Sequence, residues 1–230
     1  MKSLVTGGAG FIGSNLVDYL VKKGHKVVIL DNFNTGRRSN LSQHKKTNVK
    51  IIKVDISVKK KLEKYFKGID YVFHLAGLAD IVPSIENPDK YFKANVIGTL
   101  NVVQAAKKAK VKKLVYAASA SCYGIPNKVP TKEKDKINTL YPYAFTKWQA
   151  EELIMHWVKI YNLPAISLRF FNAYGPRSRT SGAYGAVFGV FLAQKLANKP
   201  LTIVGNGEQT RDFIHVSDLV RAIFKTALSK

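Results

Sequence analysis

The 230-residue chain contains one cysteine, two methionines and only 15 acidic residues. A single cysteine excludes an internal disulfide framework and is typical of a protein in a reducing compartment, so we expect a cytoplasmic location. The sequence also lacks a long uncharged apolar stretch, and its glycine-interrupted first residues do not have the pattern of a signal peptide. We therefore expect no membrane partner.

Acidic residues are scarce beside 37 lysines and arginines, and the formal net charge is +22. A charge of this size can indicate binding to nucleic acid or to another polyanion. The basic residues are mostly lysines in short, scattered groups such as Lys107-Lys108 and Lys112-Lys113, without a long basic block. This pattern favours a lysine-rich surface, so we expect no nucleic-acid partner.

Short apolar runs alternate with segments of helical spacing in the first three quarters of the chain. Six runs predict strands: KSLVT, KVVIL, VKIIKV, YVFHL, KLVYAA and AISLRF. The intervening patterns predict helices over Phe11–Lys23, Lys59–Phe66, Tyr91–Lys108 and Pro142–Tyr161. This alternation predicts the α/β class, with a doubly wound parallel sheet and helices on both faces.

The composition shifts towards glycine and polar residues after Asn172. Beyond this point we predict a helix to about Leu196, a strand LTIVG, and a last helix LVRAIFKTAL capped by Ser217 or Asp218. The predicted domains are residues 1–172, and residues 173–230 as the start of a small second lobe over the carboxyl edge of the sheet.

The stretch VTGGAGFIG places Gly7, Gly10 and Gly13 between the first strand and the first helix. Glycine there permits a tight turn and the close approach of an anionic pyrophosphate to the helix N-terminus. Asp31 ends the second strand 24 positions after Gly7, near the spacing of a ribose-binding carboxylate. Such a carboxylate repels a 2′-phosphate, which predicts NAD rather than NADP, although two arginines shortly after it weaken the preference. The alternative is that Asp31 only caps a turn.

The ends of the third and fourth strands carry further candidate cofactor contacts. The stretch VDI has a carboxylate and a backbone amide that could bind the edge of an adenine ring. The stretch HLAG has small residues that allow the backbone to approach a cofactor. We interpret His74 of HLAG as a buried core histidine. The other predicted cofactor-binding residues around these motifs are Phe11, Ile12, Asn32, Asp55, Ile56, Leu75, Ala76 and Gly77.

Tyr143 and Lys147 are four positions apart, which places both on one face of a helix. A phenol with a pKa of about 10 is a poor base at neutral pH. We expect the Lys147 ammonium and a positively charged nicotinamide ring to stabilise the phenolate and lower the pKa of Tyr143. The hydroxyl-rich stretch ASASCYG, which contains Ser119, ends the strand before this helix.

Seven motifs together carry a family resemblance: TGGAGFIGS, DNFNTG, HLAG, NVIGTLNVV, YPYAFTK, LRFFNAYGPR and TRDFIHVSDLVRAI. With these motifs in their usual order, the chain resembles the extended short-chain dehydrogenase/reductases, specifically the NAD-dependent nucleotide-sugar epimerases and dehydratases. The resemblance implies a Rossmann fold, NAD, a UDP-sugar substrate and a homodimer paired through the two long helices. Such enzymes commonly run about 80–100 residues further, so we expect a truncated or unusually short substrate-binding lobe.

The resemblance also implies residue roles by position. The implied catalytic residues are Ser119, Tyr143 and Lys147, and Lys147 is also implied to bind the nicotinamide ribose. Tyr143 and Asn95 are implied to contact the cofactor. The residues implied to bind the substrate are Ser119, Ser121, Asn172 and Arg211. No metal is implied. The alternatives are a buried hydrogen-bonding residue for Asn95, a turn residue for Asn172 and a surface ion-pair partner for Arg211.

The two positions after Ser119 distinguish reactions within the family. Similar 4,6-dehydratases carry Asp-Glu there and decarboxylases carry Glu at the second position, whereas this chain has Ala120 and Ser121. Epimerase-reductases acting at C3 and C5 use a cysteine two residues before the tyrosine, and Cys122 lies one residue before Tyr123. The resemblance therefore implies 4-epimerisation of a UDP-hexose by transient oxidation at C4. A dehydratase or other sugar-nucleotide oxidoreductase, and an NAD-sensing binding protein, stay open as alternatives.

Overall fold

A computed structural model describes residues 1–44, 48–58, 62–126, 128–178, 187–203 and 205–229. Its main sheet has six strands: β1 (Lys2–Thr6), β2 (Lys26–Asp31), β3 (Val49–Lys53), β4 (Tyr71–His74), β5 (Lys113–Ser119) and β6 (Ala165–Phe170). They run parallel in the order β3-β2-β1-β4-β5-β6. The strand order reverses between β1 and β4, which is the switch point of a doubly wound Rossmann fold. The predicted fold class and all six predicted strands are confirmed.

The helices of the described residues flank this sheet or follow it in the chain. They are α1 (Phe11–Lys22), α2 (Glu63–Phe66), α3 (Ile81–Glu86), α4 (Pro88–Tyr91), α5 (Gly98–Ala109), α6 (Pro142–Tyr161), α7 (Val187–Leu196) and α8 (Val216–Leu228). Two 3₁₀ helices cover Arg38–His44 and Ala120–Tyr123, and a π-helix covers Phe92–Ile97. None of the helices in the described ranges is long and apolar enough to cross a membrane.

Alternate residues of each strand enter two separate apolar layers. Leu4 and Leu114 belong to one buried cluster with residues of α2, α5 and α6. Their chain neighbours Val5 and Val115 belong to a second cluster with residues of α1 and α8. Because both faces are covered around β1, β4 and β5, these central strands are mostly apolar, as the sequence predicted, whereas the edge strand β3 is largely exposed. The polar chemistry is therefore left to the strand ends and the loops that follow them.

Two predicted helices differ from the observed ones. The helix predicted over Tyr91–Lys108 begins already at Pro88 and contains the π-helix around Asn95. A π-helix inserts extra backbone into an α-helix and turns its side chains, which a 3.6-residue periodicity does not predict. The helix predicted over Lys59–Phe66 begins at Glu63 among the described residues, and residues 59–61 lie outside them. The short helix α3 was not predicted.

The last part of the chain corrects two further predictions. Residues 201–203 of the predicted strand LTIVG are exposed and lie outside any strand, and residue 204 is not among those described. A two-stranded parallel pair, β7 (Asn172–Tyr174) and β8 (Phe213–His215), is present instead. The cap of α8 is the side chain of His215, which accepts a hydrogen bond from the Ser217 amide at 3.3 Å. The predicted helix to Leu196 is confirmed as α7.

The final helix α8 packs on the Rossmann body. The rings of Phe224 in α8 and Tyr19 in α1 meet edge to face with centroids 5.4 Å apart. Leu219, Val220 and Ile223 of α8 are buried in the same cluster as β1 and β4 residues. The domain division at residue 172 stays a prediction, and α8 contributes to the apolar core beside α1.

Candidate active site

A cavity of about 980 Å³ lies at the carboxyl ends of the strands on both sides of the switch point. Residues predicted from four separate motifs line it together: Gly7, Gly10, Phe11, Ile12, Gly13, Asp31, Asn32, Asp55, Ile56, Leu75, Ala76 and Gly77. Ligands of open α/β sheets bind at this position because adjacent loops diverge there. The parallel topology thus brings these motifs into one site, while their contacts with a cofactor stay a prediction.

Two glycines keep the start of the cavity free of side chains. Gly7 has a φ of +72°, and a Cβ on it would lie 2.7 Å from the Ala76 amide nitrogen. A Cβ on Gly13 would lie 2.1 Å from the Gly7 carbonyl oxygen. Any side chain at either position would displace the backbone. The glycines therefore form a bare backbone cradle at the N-terminus of α1, which suits the pyrophosphate of a dinucleotide.

The Asp31 carboxylate anchors the glycine loop from the end of β2. Its Oδ2 accepts a hydrogen bond from the Ala9 amide at 2.8 Å, and its Oδ1 accepts one from the Phe33 amide at 2.8 Å. Asp31 thus caps a turn, as the alternative interpretation proposed, and also lines the cavity. Since each carboxylate oxygen can accept a further hydrogen bond, this anchoring is compatible with binding two ribose hydroxyls.

Asp55 is a second fixed carboxylate, at the end of β3. Its Oδ1 accepts hydrogen bonds from the Ser57 amide and hydroxyl at 2.8 and 2.7 Å, and Asn32 donates to Oδ2 at 3.2 Å. Burial raises the pKa of Asp55, but these hydrogen bonds and the charge of Lys93 outweigh it and hold the pKa below its usual value. Asp55 is therefore ionised at neutral pH and can accept a hydrogen bond from an adenine amino group.

His74 is a buried core residue, as the sequence interpretation held. Its Nδ1 lies 2.7 Å from Thr6 Oγ1, and its Nε2 lies 2.8 Å from Thr99 Oγ1. Thr99 donates its hydroxyl proton to the Asn95 carbonyl at 2.5 Å, so the network assigns the imidazole proton to Nε2. Burial and the nearby Lys147 charge lower the pKa of His74 to about 3. The neutral ring ties β1 and β4 to α5 and takes no part in proton transfer.

Three predicted hydroxyl side chains meet at the end of β5. The Tyr143 hydroxyl lies 3.1 Å from Ser119 Oγ, and the Ser121 hydroxyl donates to the same oxygen at 2.8 Å. The Ser121 amide also points at Ser119 Oγ, at 3.2 Å. The turn after β5 and the first turn of α6 therefore bring a phenol and two alcohols within hydrogen-bonding distance. Such a group can hold one substrate hydroxyl and exchange a proton with it.

The pKa of Tyr143 differs from the expectation. Burial raises it above the usual value and Asp80 adds to the rise, whereas hydrogen bonds from Ser119 and Ser121 lower it by less. The predicted stabilisation by Lys147 does not occur in the protein alone, because the Lys147 ammonium is directed to the Ala117 carbonyl. The prediction of a lowered pKa included a positively charged nicotinamide ring, so it stays a prediction for the site with that ring bound, whereas in the protein alone burial holds the pKa of Tyr143 above its usual value.

Lys147 is buried beside the cofactor-lining residues. Its ammonium donates to the Ala117 carbonyl and lies 4.3 Å from the centroid of the Tyr116 ring. A Cβ on Gly77, which lines the cavity, would lie 3.9 Å from Lys147 Nζ. Burial lowers the pKa of Lys147 to about 7, against the opposing charge of Glu151. The ammonium is therefore one turn of helix from Tyr143 and within reach of a ligand at Gly77.

The Asn95 side chain forms hydrogen bonds with other groups of the protein. Its Oδ1 accepts a hydrogen bond from the Leu78 amide at 2.8 Å, and its Nδ2 donates to the Leu78 carbonyl and to Thr146 Oγ1 at 3.1 and 3.0 Å. Both amide hydrogens are used, which matches the alternative of a buried hydrogen-bonding residue. The side chain fixes the loop after β4 against α6, and a direct contact with the cofactor stays a prediction.

Asn172 and Arg211, predicted on the substrate, lie outside the cavity lining. Asn172 Nδ2 donates to the Asp212 carbonyl at 3.0 Å, and Arg211 donates to the Thr210 carbonyl at 2.7 Å. Both side chains are exposed. The side-chain hydrogen bonds described for them go to neighbouring backbone carbonyls, and their substrate roles stay predictions.

Sequence reasoning missed Ser84, which caps the helix that carries Tyr143. Pro142 has no N–H and Tyr141 gives no side-chain cap, so the Tyr143 amide is the first free donor of α6. Ser84 Oγ in α3 accepts this hydrogen bond at 3.1 Å and donates its own proton to the Ile81 carbonyl at 2.5 Å. The available signal was the absence of a capping residue at position 141, which indicates a cap from elsewhere in the fold.

The sequence interpretation also missed a buried ion pair next to the cluster of hydroxyl side chains at the end of β5. Arg169 in β6 holds both carboxylate oxygens of Glu151, with its Nη2 2.9 Å from Oε1. The same guanidinium donates to the Tyr123 hydroxyl at 2.5 Å. Glu151 follows Tyr143 and Lys147 at a further four positions, and this spacing was the overlooked signal. The pair fastens α6 to the end of the 3₁₀ turn that begins after Ser119.

Comparison with known proteins shows the family of the chain. The model of the NAD dependent epimerase/dehydratase family matches residues 3–230. The UDP-N-acetyl-alpha-D-glucosaminuronate decarboxylase of Bacillus cytotoxicus is 36% identical over 226 residues, which are 96% of this chain and 69% of that protein. The relatives thus extend beyond the aligned region, and they include a decarboxylase.

Two solved structures superpose on the whole chain. The UDP-N-acetylglucosamine 4-epimerase of Methanobrevibacter ruminantium, in complex with UDP-N-acetylmuramic acid, has a TM-score of 0.96 and 37% identity, covering 100% of this chain and 73% of its own. The UDP-glucuronic acid 4-epimerase of Bacillus cereus, with UDP-glucuronic acid and NAD, has a TM-score of 0.91 and 34% identity, covering 100% and 74%. The chain therefore belongs to the NAD dependent epimerase/dehydratase family, whose cofactor is NAD.

Proposed function

We propose that the protein is an NAD-dependent 4-epimerase of a UDP-hexose: UDP-glucose, UDP-N-acetylglucosamine or UDP-glucuronate. The observation that carries the proposal is the group of Ser119, Tyr143 and Lys147, with the phenol 3.1 Å from the serine hydroxyl. The two positions after Ser119, at which the resemblance places the carboxylates of a dehydratase, are occupied by Ala120 and Ser121. Neither residue can remove and return the proton that elimination of water requires.

The cavity has the parts that NAD needs. In the proposal, the cradle of Gly7 and Gly13 would hold the pyrophosphate, and the Asp31 carboxylate would accept hydrogen bonds from the adenosine ribose. Asp55 would accept one from the adenine amino group, and Lys147, beside the cavity, would bind the nicotinamide ribose. When bound, NAD would supply reversible hydride transfer at the sugar C4 carbon, and its positively charged nicotinamide ring would stabilise the Tyr143 phenolate.

Tyr143 is the base in the proposed reaction. Its phenolate oxygen removes the proton of the C4 hydroxyl as the sugar is oxidised to the ketone, and the same phenol returns that proton when the carbonyl is reduced from the opposite face. Ser119 donates a hydrogen bond to the C4 oxygen, and Ser121 supports Ser119 from 2.8 Å. A positioned general base of this kind contributes about 10²–10⁴ to the rate.

Cys122 is not part of this chemistry. Its thiol is buried and free. Burial raises the pKa of Cys122 to about 11, so the thiol is protonated at neutral pH and inert as an acid or base. This supports 4-epimerisation over epimerisation at C3 and C5. The cytoplasmic location inferred from the single cysteine stays a prediction.

A homodimer is part of the proposal. A second, apolar cavity of about 450 Å³ lies between the starts of α4 and α6 and is lined by Phe92, Leu140 and Phe145. Phe92 and Phe145 are 43% and 46% exposed, although both are large apolar side chains. An apolar surface on the two long helices suits burial against a second copy. Sedimentation of the chain as a monomer at micromolar concentration would contradict this part.

Decarboxylation of a UDP-uronate is the second candidate, because a decarboxylase is among the relatives. The two reactions share oxidation at C4 and differ in whether the carboxylate is lost. Ser121 stands where the resemblance places the decarboxylase glutamate, which favours epimerisation. A uronate substrate therefore separates the two proposals.

The test is product analysis by NMR. The chain is incubated with NAD and, separately, with UDP-glucose, UDP-N-acetylglucosamine and UDP-glucuronate, and we expect the C4 epimer of one of them. A 4-keto-6-deoxy product would show a dehydratase, and a UDP-pentose with release of carbon dioxide would show a decarboxylase. Tight NAD binding without turnover of any of the three would favour the binding-protein alternative.

A further inference from the structure

Residues 175–178, the segment that follows β7, are hydrogen-bonded to α1, although the bonded residues Arg177 and Asn15 are 162 positions apart in the sequence. Arg177 Nη2 donates to Asn15 Oδ1 at 2.8 Å and to the Asp18 carboxylate, and its Nη1 donates to the Asn40 carbonyl at 3.0 Å. Asn15 in turn donates to the Pro176 carbonyl at 3.0 Å. One arginine side chain thus joins this segment both to α1 and to the 3₁₀ helix that follows β2.

The acceptor of the arginine is itself fixed. Asp18 also receives hydrogen bonds from Gln43 Nε2 at 2.8 Å and from the His44 ring at 2.6 Å. Burial raises the pKa of Asp18, but the hydrogen bonds from Arg177, Gln43 and His44 and the arginine charge outweigh it and hold the pKa below its usual value. The pair is therefore fully charged at neutral pH. Charge-assisted hydrogen bonds of this kind are the stronger class.

The backbone of Arg177 indicates that these contacts hold the segment in place. Its φ is +70°, in the left-handed region that non-glycine residues seldom adopt. A side chain that bonds three acceptors on another part of the fold supplies the reason why the chain stays in this conformation.

The joined segments are two walls of the candidate NAD cavity. Arg177 and Ser178 line it from the segment after β7, and Gly10 and Asn40 line it from the glycine loop and the 3₁₀ helix. Asn40 continues the connection, because its Nδ2 donates to the Ala9 carbonyl of the glycine loop at 2.9 Å. The bonds of Arg177 therefore hold together segments that line the same cavity.

We propose that residues 175–178 are a clasp that retains NAD, with Arg177 as its positioning residue. The proposal rests on the proposed function, since a 4-epimerase returns the hydride to the same sugar and must keep its cofactor through the whole reaction. The Arg177 guanidinium donates its hydrogen bonds to three protein acceptors. We therefore expect Arg177 to act on the cofactor indirectly, through the segment that it holds in place. Its removal is expected to raise the dissociation rate of the cofactor more than its association rate.

The experiment measures NADH dissociation from the 230-residue chain by stopped-flow fluorescence, with excess NAD as the competitor. Arg177→Ala is expected to release NADH at least tenfold faster, and Asp18→Asn several-fold faster. Arg177→Lys, which keeps the charge but lacks the planar fork of guanidinium donors, is expected to lie between. The matched controls are Arg221→Ala and Asp218→Asn, which remove an exposed Arg–Asp pair at 3.6 Å on α8 and are expected to leave the rate unchanged.

Equal dissociation rates for the wild-type chain and Arg177→Ala, with both proteins folded by circular dichroism, would overturn the clasp. If Arg177→Ala does not fold, equal rates for Asp18→Asn and Arg177→Lys would overturn it in the same way. Unchanged NADH release together with C4 epimerisation contradicts the clasp alone. Clasp-dependent NADH release without turnover of any UDP-sugar contradicts the proposed function alone.

Discussion

The two ends of the candidate site are built from different materials. At the dinucleotide end, the surface of the cavity is mostly backbone, with glycines at steric limits and two carboxylates held by neighbouring amides. The catalytic end consists of Ser119, Tyr143 and Lys147, which are side chains from the end of β5 and from α6 and are not among the residues that line the cavity. The carboxylate of Asp55 is held in its working, ionised state by the protein itself. Tyr143 and Lys147 both have pKa values shifted by burial towards the neutral form. The dinucleotide end is thus preformed, whereas the catalytic end acquires its charge state from what binds.

The largest expected effect tests the catalytic end. Tyr143→Phe removes the hydroxyl but keeps the ring, so we expect kcat for C4 epimerisation to fall by about 10²–10⁴. NADH affinity is expected to change by less than about threefold, because the dinucleotide end does not depend on this hydroxyl. NMR product rates and fluorescence titration measure the two quantities. Turnover near the wild-type rate would remove Tyr143 from the mechanism.

The next effect tests the dinucleotide end, with two glycines that differ in one distance. A Cβ on Gly13 would lie 2.1 Å from the Gly7 carbonyl, and one on Gly10 would lie 3.2 Å from the same oxygen. Overpacking costs about 1–3 kcal/mol, so Gly13→Ala is expected to weaken NADH binding up to about 100-fold. Gly10→Ala is the control, with an expected change of a few fold. Equal losses in the two variants would contradict the steric argument.

A smaller effect is expected in cofactor selectivity. Asp31→Asn removes the charge that repels a 2′-phosphate, and it weakens hydrogen bonds to a charged group worth about 1.5–3 kcal/mol. We expect NADH affinity to fall by about tenfold while NADPH affinity falls less. Dissociation constants from fluorescence titration give the ratio, and Asp135→Asn, outside the cavity lining, is the control. An unchanged NADH/NADPH ratio would leave Asp31 as a turn cap only.

A further effect, on stability rather than on binding or turnover, concerns the charge state of Lys147. Its pKa in the folded chain is about 7, whereas an unfolded lysine titrates near 10.4. Between these values the unfolded chain binds a proton that the folded chain lacks, so stability rises with pH, by at most about 1.4 kcal/mol per unit. Below pH 7 the cost of the buried charge is fully present.

Lys147→Met removes this titration. From pH 7 to pH 10, the free energy of unfolding of the wild-type chain is therefore expected to increase relative to that of Lys147→Met. Urea unfolding at several pH values measures both quantities. The exposed Lys159→Met is the control and is expected to show no such rise. Parallel pH curves for the wild-type and Lys147→Met chains would contradict the lowered pKa.

Much of the fold was predictable because its signals are local. The central strands are rich in apolar residues, and β1, β2 and β5 differ from their predicted bounds by at most a residue. Predictions failed where neighbours in space decide the conformation. Residues 201–203 have strand-forming side chains but no strand beside them, and the cap of α8 is a histidine whose role depends on the loop geometry. The π-helix at Asn95 has the same origin, since Asn95 bonds to the loop after β4.

The sequence by itself determined most of the glycine loop, because Gly13 and Asp31 make their short contacts within one βαβ unit, whereas Gly7 also approaches Ala76 after β4. It also identified Ser119, Tyr143 and Lys147, through their spacing and the family resemblance. Only the tertiary structure decided how these residues are held. The Ser84 cap, the Arg169–Glu151 pair and the Arg177 clasp join segments far apart in the chain, and their partners are chosen by packing. The charge states of Tyr143 and Lys147 belong to the same class, because burial is a property of the folded chain.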